Sequence, residues 1–131
     1  MFAQMVNPSG AGSDKVRVMV VDDDAAVRDS LKFALELEGL SVQTWPSGEA
    51  LLESGVLEAD CLVLDCKMPE MDGFSVMAVL ADRNISIPVI LITAPVTGAM
   101  RRQAAQIGAF SLLEKPLDGG VLLESIRCAT A

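Results

Sequence analysis

Histidine is missing from all 131 residues, which removes at once the commonest general base and the commonest zinc ligand. Cationic side chains are scarce as well: 10 Lys and Arg stand against 18 Asp and Glu, for a formal charge of −8. Neutralising phosphates takes Lys and Arg, so this segment is not expected to bind nucleic acid directly. Only three cysteines occur, Cys61, Cys66 and Cys128, an odd number without paired metal-ligand spacing. They read as reduced thiols of a cytoplasmic protein, with Cys61 buried as a small apolar residue. No apolar run is long enough to span a bilayer, so no membrane partner is expected. Residues 1–14 (MFAQMVNPSGAGSD) lack both a basic head and a signal-type apolar core, and are expected to form a flexible tail rather than a secretion signal.

What is present is apolar bulk in regular alternation. A hydrophobic fraction of 51% supplies a core for one compact domain over residues 15–131, with no output domain expected in this chain. Residues 16–21 (VRVMVV) form an apolar, β-branched run suited to a strand buried on both faces. Asp24 then caps a helix with Val27, Leu31, Ala34 and Leu35 on one face, closed by Gly39. A weaker strand is expected over 40–45, and a short helix from the Ser47 cap through Leu52. Residues 61–65 (CLVLD) are a second buried strand, followed by a loop with Pro69 and Gly73 and a helix over about 74–81. Pro88 opens a strand over 89–93 (VILIT), and residues 98–107 carry Met100, Ala104 and Ile107 at helical spacing, stopped by Gly108. A short strand over 110–113 and a helix capped by Asp118, bearing Leu122 and Ile126, complete the pattern, although Gly119 and Gly120 weaken that first turn. Five strands alternating with five helices predict an α/β fold: a doubly wound parallel sheet with right-handed crossovers.

In such sheets the functional crevice lies beyond the carboxyl ends of the strands. There the first strand ends in Asp22, Asp23 and Asp24, the third in Asp65, the fourth in Thr93, and the fifth runs directly into Lys115 and Pro116. In the flavodoxin-like order 2-1-3-4-5 these ends share one rim. Crowded carboxylates repel and require a compensating cation. All-oxygen ligation with room for water suits Mg²⁺. Lys115 supplies a compact positive charge, Thr93 a hydroxyl donor, and Asp65 a carboxylate able to attack phosphorus and form an acyl phosphate. Taken singly each residue has an ordinary explanation: a helix cap for Asp24, a β-former for Thr93, a turn for Lys115-Pro116. Their joint placement at successive strand ends favours the chemical reading.

These residues resemble the response-regulator receiver domains of two-component signalling. The resemblance is carried by VVDDD (20–24), LVLDCKMPEMDG (62–73), LIT (91–93) and EKP (114–116), and extends over essentially the whole chain from Lys15. The opening VDDDAAVRDSL is most similar to the FixJ/NarL-type subgroup. The resemblance implies a CheY-like fold, with Asp65 as phosphoacceptor and Asp23 as direct metal ligand. Asp22 would act on the metal through water, and the backbone carbonyl of Lys67 would be a further ligand. It makes Thr93 the switch hydroxyl, Lys115 the family lysine, and Pro116 the residue after a cis peptide. Expected partners are a sensor histidine kinase and an output domain or downstream protein, with a phosphorylation-dependent homodimer and transcription regulation as outcomes. The chain would catalyse only its own Asp phosphorylation and dephosphorylation. Two departures stand out. The switch position three residues before the lysine, usually Phe or Tyr, is Leu112, with Phe110 two residues further upstream, and Pro95 lies in the loop expected to rearrange.

Two other readings remain open at this point. A Mg²⁺-dependent phosphatase could use the same nucleophile, but its usual second Asp two residues later is replaced by Lys67. A degenerate receiver could regulate through unphosphorylated contacts; Leu112 favours this, whereas the intact Asp22, Asp23, Asp65, Thr93 and Lys115 oppose it.

Overall fold

The apolar runs become the middle of a sheet. A computed structural model describes residues 15–54 and 58–131; the tail expected over residues 1–14 lies outside the described residues. In chain order the elements are β1 (Arg17–Val21), α1 (Ala25–Leu37), β2 (Ser41–Trp45), α2 (Gly48–Ser54), β3 (Cys61–Asp65), α3 (Gly73–Asp82), β4 (Val89–Thr93), α4 (Gly98–Ile107), β5 (Ser111–Glu114) and α5 (Gly119–Ala129). The strands form one sheet in the order β2-β1-β3-β4-β5, every neighbour parallel. This is the 2-1-3-4-5 order expected from the sequence.

Parallel strands covered on both faces need apolar residues at every position, and β3 and β4 are buried throughout. Their alternate residues feed two cores. Met19, Val21, Leu62, Leu64 and Leu91 pack with Leu51 of α2, with Phe74, Val76 and Leu80 of α3, and with Ala104 of α4. Val18, Val20, Val63, Ile90 and Ile92 pack on the other face with Leu35 of α1 and with Leu122 and Ile126 of α5. Fully burying side chains of this size stabilises by roughly 1.5–3 kcal/mol each before ordering costs.

The helix starts follow from capping. Asp24 accepts N–H bonds from Ala26 and Val27, Ser47 Oγ accepts from Ala50, and Asp118 accepts from Gly120. Asp72 and Thr97, not singled out in the sequence, cap α3 and α4. Gly39 and Gly108 end α1 and α4 with φ of 89° and 85°, values that a residue without Cβ adopts freely. Along α1 the inward stripe is narrower than expected: Leu35 is buried, but Ala34 faces solvent. Phe33 and Leu37 of the same helix are exposed. The last strand runs over 111–114 rather than 110–113, because its ladder is set by the pairing of Ser111 with Ile90. Phe110 donates its N–H to Val89 and leaves its ring about half exposed.

Candidate functional site

The rim is assembled by register. β1 and β3 pair from Val18↔Cys61 to Val21↔Leu64, so the residues that follow, Asp22 and Asp65, emerge side by side. Both are almost fully buried, at 0% and 3% exposure. β4 and β5 pair up to Thr93↔Glu114, and the N–H of Lys115 donates to the Thr93 carbonyl at 2.7 Å. That bond places the lysine next to the acids. Lys115 Nζ lies 2.8 Å from Asp22 Oδ2 and 3.3 Å from Asp65 Oδ2, one ammonium bridging two strand ends. The Lys115–Pro116 peptide is cis, as the resemblance implied, and so is Ala94–Pro95.

Each acid is held differently. Both carboxylate oxygens of Asp22 are engaged: Oδ1 accepts the Asp24 N–H at 2.9 Å and Oδ2 takes Lys115, while its carbonyl accepts Arg28 Nη1 at 2.7 Å. Asp65 Oδ1 accepts the Lys67 N–H at 3.1 Å. Asp23 is exposed, and its carboxylate has no hydrogen bond to another described residue. One oxygen from each of Asp22, Asp23 and Asp65 falls within 4.8 Å of the others. This donor set, hard oxygens with one unengaged carboxylate at the solvent edge, fits a small divalent cation and not a soft metal.

Electrostatics separates these groups further. Burial pushes the Asp65 carboxyl up to about 6; the Asp22 charge adds to the rise, and the Lys67 N–H and Lys115 hold it back. At neutral pH it is therefore an anion with heightened basicity. Burial works against the Lys115 charge, but its bonds to Asp22 and Asp65 outweigh this and hold it above the ordinary lysine value. Cys66, next to Asp65, is buried, and burial pushes its thiol up to about 12, which leaves it unreactive.

Thr93 is 1% exposed, and its hydroxyl has no partner among the described residues. An unpartnered buried hydroxyl is costly, so its retention at this rim needs a reason beyond packing. Gly73 touches Asp65 directly: a Cβ there would stand 2.6 Å from the Asp65 carbonyl oxygen, and its N–H binds the Cys66 carbonyl. Only glycine permits that approach. Leu112 is partly buried, opposite Leu91 in the ladder. A groove of about 580 Å³, bordered by Ala26, Ser30, Ala94, Lys115 and Pro116, lies between α1 and the loop from β5 to α5.

The structure thus brings together Asp22, Asp23, Asp65, Thr93 and Lys115, with Lys67 bonded to Asp65 through its backbone. Sequence reasoning missed three contacts: Arg28 on the Asp22 carbonyl, Lys67 Nζ on the Ala94 carbonyl at 3.2 Å, and Glu114 Oε2 on the Val96 N–H at 3.0 Å. The first was hidden in an ordinary helix arginine. The last follows from the strand pairing of Thr93 with Glu114, which is not written in local sequence.

Comparison with known proteins agrees with this arrangement. The response regulator receiver domain family matches residues 18–127. The transcriptional regulatory protein FixJ of Azorhizobium caulinodans is 36% identical over 117 residues, covering 88% of this chain and 56% of that protein. The transcriptional regulatory protein TdiR of Thauera aromatica is 36% identical over 115 residues, covering 87% and 51%. The chain spans about half the length of these curated relatives. Among solved structures, the crystal structure of FixJ-N superposes with a TM-score of 0.82 at 36% identity, covering 89% of this chain and 94% of that one. The chemotaxis protein CheY4 of Vibrio cholerae gives a TM-score of 0.80 at 25% identity, covering 88% and 98%. Among the described residues no helix is long and apolar enough to cross a membrane.

Proposed function

The chain belongs to the response regulator receiver domain family, and on that footing we propose that Asp65 accepts a phosphoryl group from a sensor histidine kinase, with Mg²⁺ at the acidic rim. The observation that carries this reading is the Lys115 ammonium set between Asp22 and Asp65, beside a buried threonine hydroxyl without a partner. The family match also favours a receiver over a phosphatase.

Asp65 is the nucleophile. An oxygen–phosphorus bond forms at its carboxylate as the nitrogen–phosphorus bond of phosphohistidine breaks, and the electron pair returns to the imidazole. Asp23, Asp22, Asp65 and the Lys67 carbonyl would hold Mg²⁺, which when bound spreads the charge on the phosphoryl oxygens. Lys115, already 3.3 Å from Asp65 Oδ2, transfers its contact to a phosphoryl oxygen. The Thr93 hydroxyl donates to another and gains the partner it lacks at rest. The groove between α1 and the loop from β5 to α5, which reaches Lys115, is the approach we assign to the donor.

Movement of Thr93 draws on the chain that follows it, and so shifts α4 and β5. Leu112 stands where an aromatic ring is usual, so this shift is transmitted by repacking of an aliphatic side chain rather than by ring rotation. The resulting surface acts on an output domain or downstream protein, with a phosphorylation-dependent homodimer as one form of that action. The relatives named above are transcriptional regulators, which makes control of transcription in the cytoplasm the proposed outcome.

Intact mass after incubation with acetyl phosphate and Mg²⁺ tests the assignment. One added phosphoryl group is expected on the wild type, and none on Asp65→Asn or in the absence of Mg²⁺. An adduct on Asp65→Asn would take the acceptor role away from Asp65.

A further inference from the structure

Residues 94–97 connect Thr93 to the first turn of α4, whose N-cap is Thr97. Any displacement of Thr93 must drag this short segment along. Charged side chains grip it from both sides. From the loop after β3, Lys67 Nζ donates to the Ala94 carbonyl at 3.2 Å; from the end of β5, Glu114 Oε2 accepts the Val96 N–H at 3.0 Å. Glu114 is the register partner of Thr93 and the immediate neighbour of Lys115. Two consecutive residues of one strand end therefore serve two purposes: Lys115 reaches the acids, and Glu114 reaches the loop.

We propose that Glu114 is a positioning residue of the switch: its carboxylate fastens Val96 and so sets how readily Thr93 leaves its resting place for a phosphoryl group on Asp65. The inference rests on the function proposed above and adds to it a determinant outside the acidic rim. The physical ground is direct. The Val96 N–H has a side-chain oxygen as its acceptor, and the segment 94–97 shifts with Thr93 only as that bond breaks. At rest the fastening opposes the one move that would give the Thr93 hydroxyl a partner. Phosphorylation supplies the partner, and the balance of the two contacts decides the population of each arrangement.

The test compares the wild type with Glu114→Ala, which removes the acceptor, and Glu114→Gln, whose side-chain carbonyl preserves it. The first readout is hydrogen exchange of the Val96 amide without any phosphoryl donor, referenced to the Ile92 amide in the middle of the sheet. Exchange at Val96 should be roughly five- to tenfold faster in Glu114→Ala and close to wild type in Glu114→Gln. The second readout is the rate of phosphoryl uptake from acetyl phosphate with Mg²⁺, which should rise about two- to fivefold in Glu114→Ala and stay unchanged in Glu114→Gln. Thermal unfolding of all three proteins controls for general loosening. Unchanged Val96 exchange in Glu114→Ala overturns the proposal. So does a Glu114→Gln variant that behaves like the alanine, or an uptake rate indifferent to both substitutions. A wild type that takes up no phosphoryl group at all would count against the receiver chemistry instead, and the Val96 amide would still report on the fastening.

Discussion

β4 and β5 lie side by side in one ladder, from Ile90↔Ser111 to Thr93↔Glu114, yet their surroundings differ sharply. All five residues of β4 are buried, and none of the four in β5 is. The same contrast separates the two halves of the site. Asp22, Asp65 and Thr93 stand at the ends of β1, β3 and β4, strands flanked on both sides; Lys115 and Glu114 come from the edge. On the function proposed above, the difference would let one fold hold Asp65 still by central packing while Lys115 and Glu114 stand where fewer contacts resist a change of partner.

The largest expected effect uses the ladder itself as the comparison. Leu91 and Leu112 are register partners, the first fully buried and the second only partly so. Leu91→Ala should cost about 3–5 kcal/mol and Leu112→Ala about 1–2 kcal/mol in denaturant unfolding. Equal losses would erase the distinction between centre and edge.

Next in size is a pH effect confined to the central half. The unfolded chain releases the Asp65 proton near the ordinary value of 3.8, and the folded chain keeps it to about 6. Between these values the native state binds the extra proton, so stability falls as pH rises through that window, by on the order of 2–3 kcal/mol in total. Other carboxylates titrate over the same range. The observable is therefore the difference between wild type and Asp65→Asn in Mg²⁺-free buffer, which should grow in favour of the variant from pH 4 to 6. A difference of the opposite sign would mean that Lys115 dominates the Asp65 carboxyl and burial does not.

The smallest effect sharpens the boundary between the halves. Thr93 belongs to the fixed part by burial and to the moving part by its unpartnered hydroxyl. Thr93→Val retains the shape and removes the orphan group, and should raise the unfolding free energy by about 1 kcal/mol. A destabilised variant would show that the hydroxyl has a resting partner in solution.

The same contrast explains what could be read from the sequence. β3, β4 and α4 fall over 61–65, 89–93 and 98–107 as expected, because an uninterrupted apolar run or a helical stripe ended by glycine leaves little choice. The acids, the threonine and the lysine were legible because each directly ends or follows a strand. The edge was less so. β5 shifts by one residue, since its bounds come from pairing with β4 and its own pattern (SLLE) is weak. Ala34 looked like part of the inner stripe of α1 by spacing alone, but a methyl group is too small to require burial. The grip of Lys67 and Glu114 on the loop after β4 joins residues 27 and 18 positions apart, and no local pattern encodes a meeting at that distance.

The way α4 is seated carries a last consequence. A single small side chain, Ala104, is its only buried residue, and Met100 and Ile107 are partly buried beside it. Withdrawing a leucine from a packed interior opens a void that neighbouring groups cannot refill; sliding an alanine opens almost none, and an unbranched methionine reshapes itself into what remains. Little buried volume therefore resists translation of α4 along the sheet. Enlarging the Ala104 methyl would raise that resistance without touching a single charged residue of the rim.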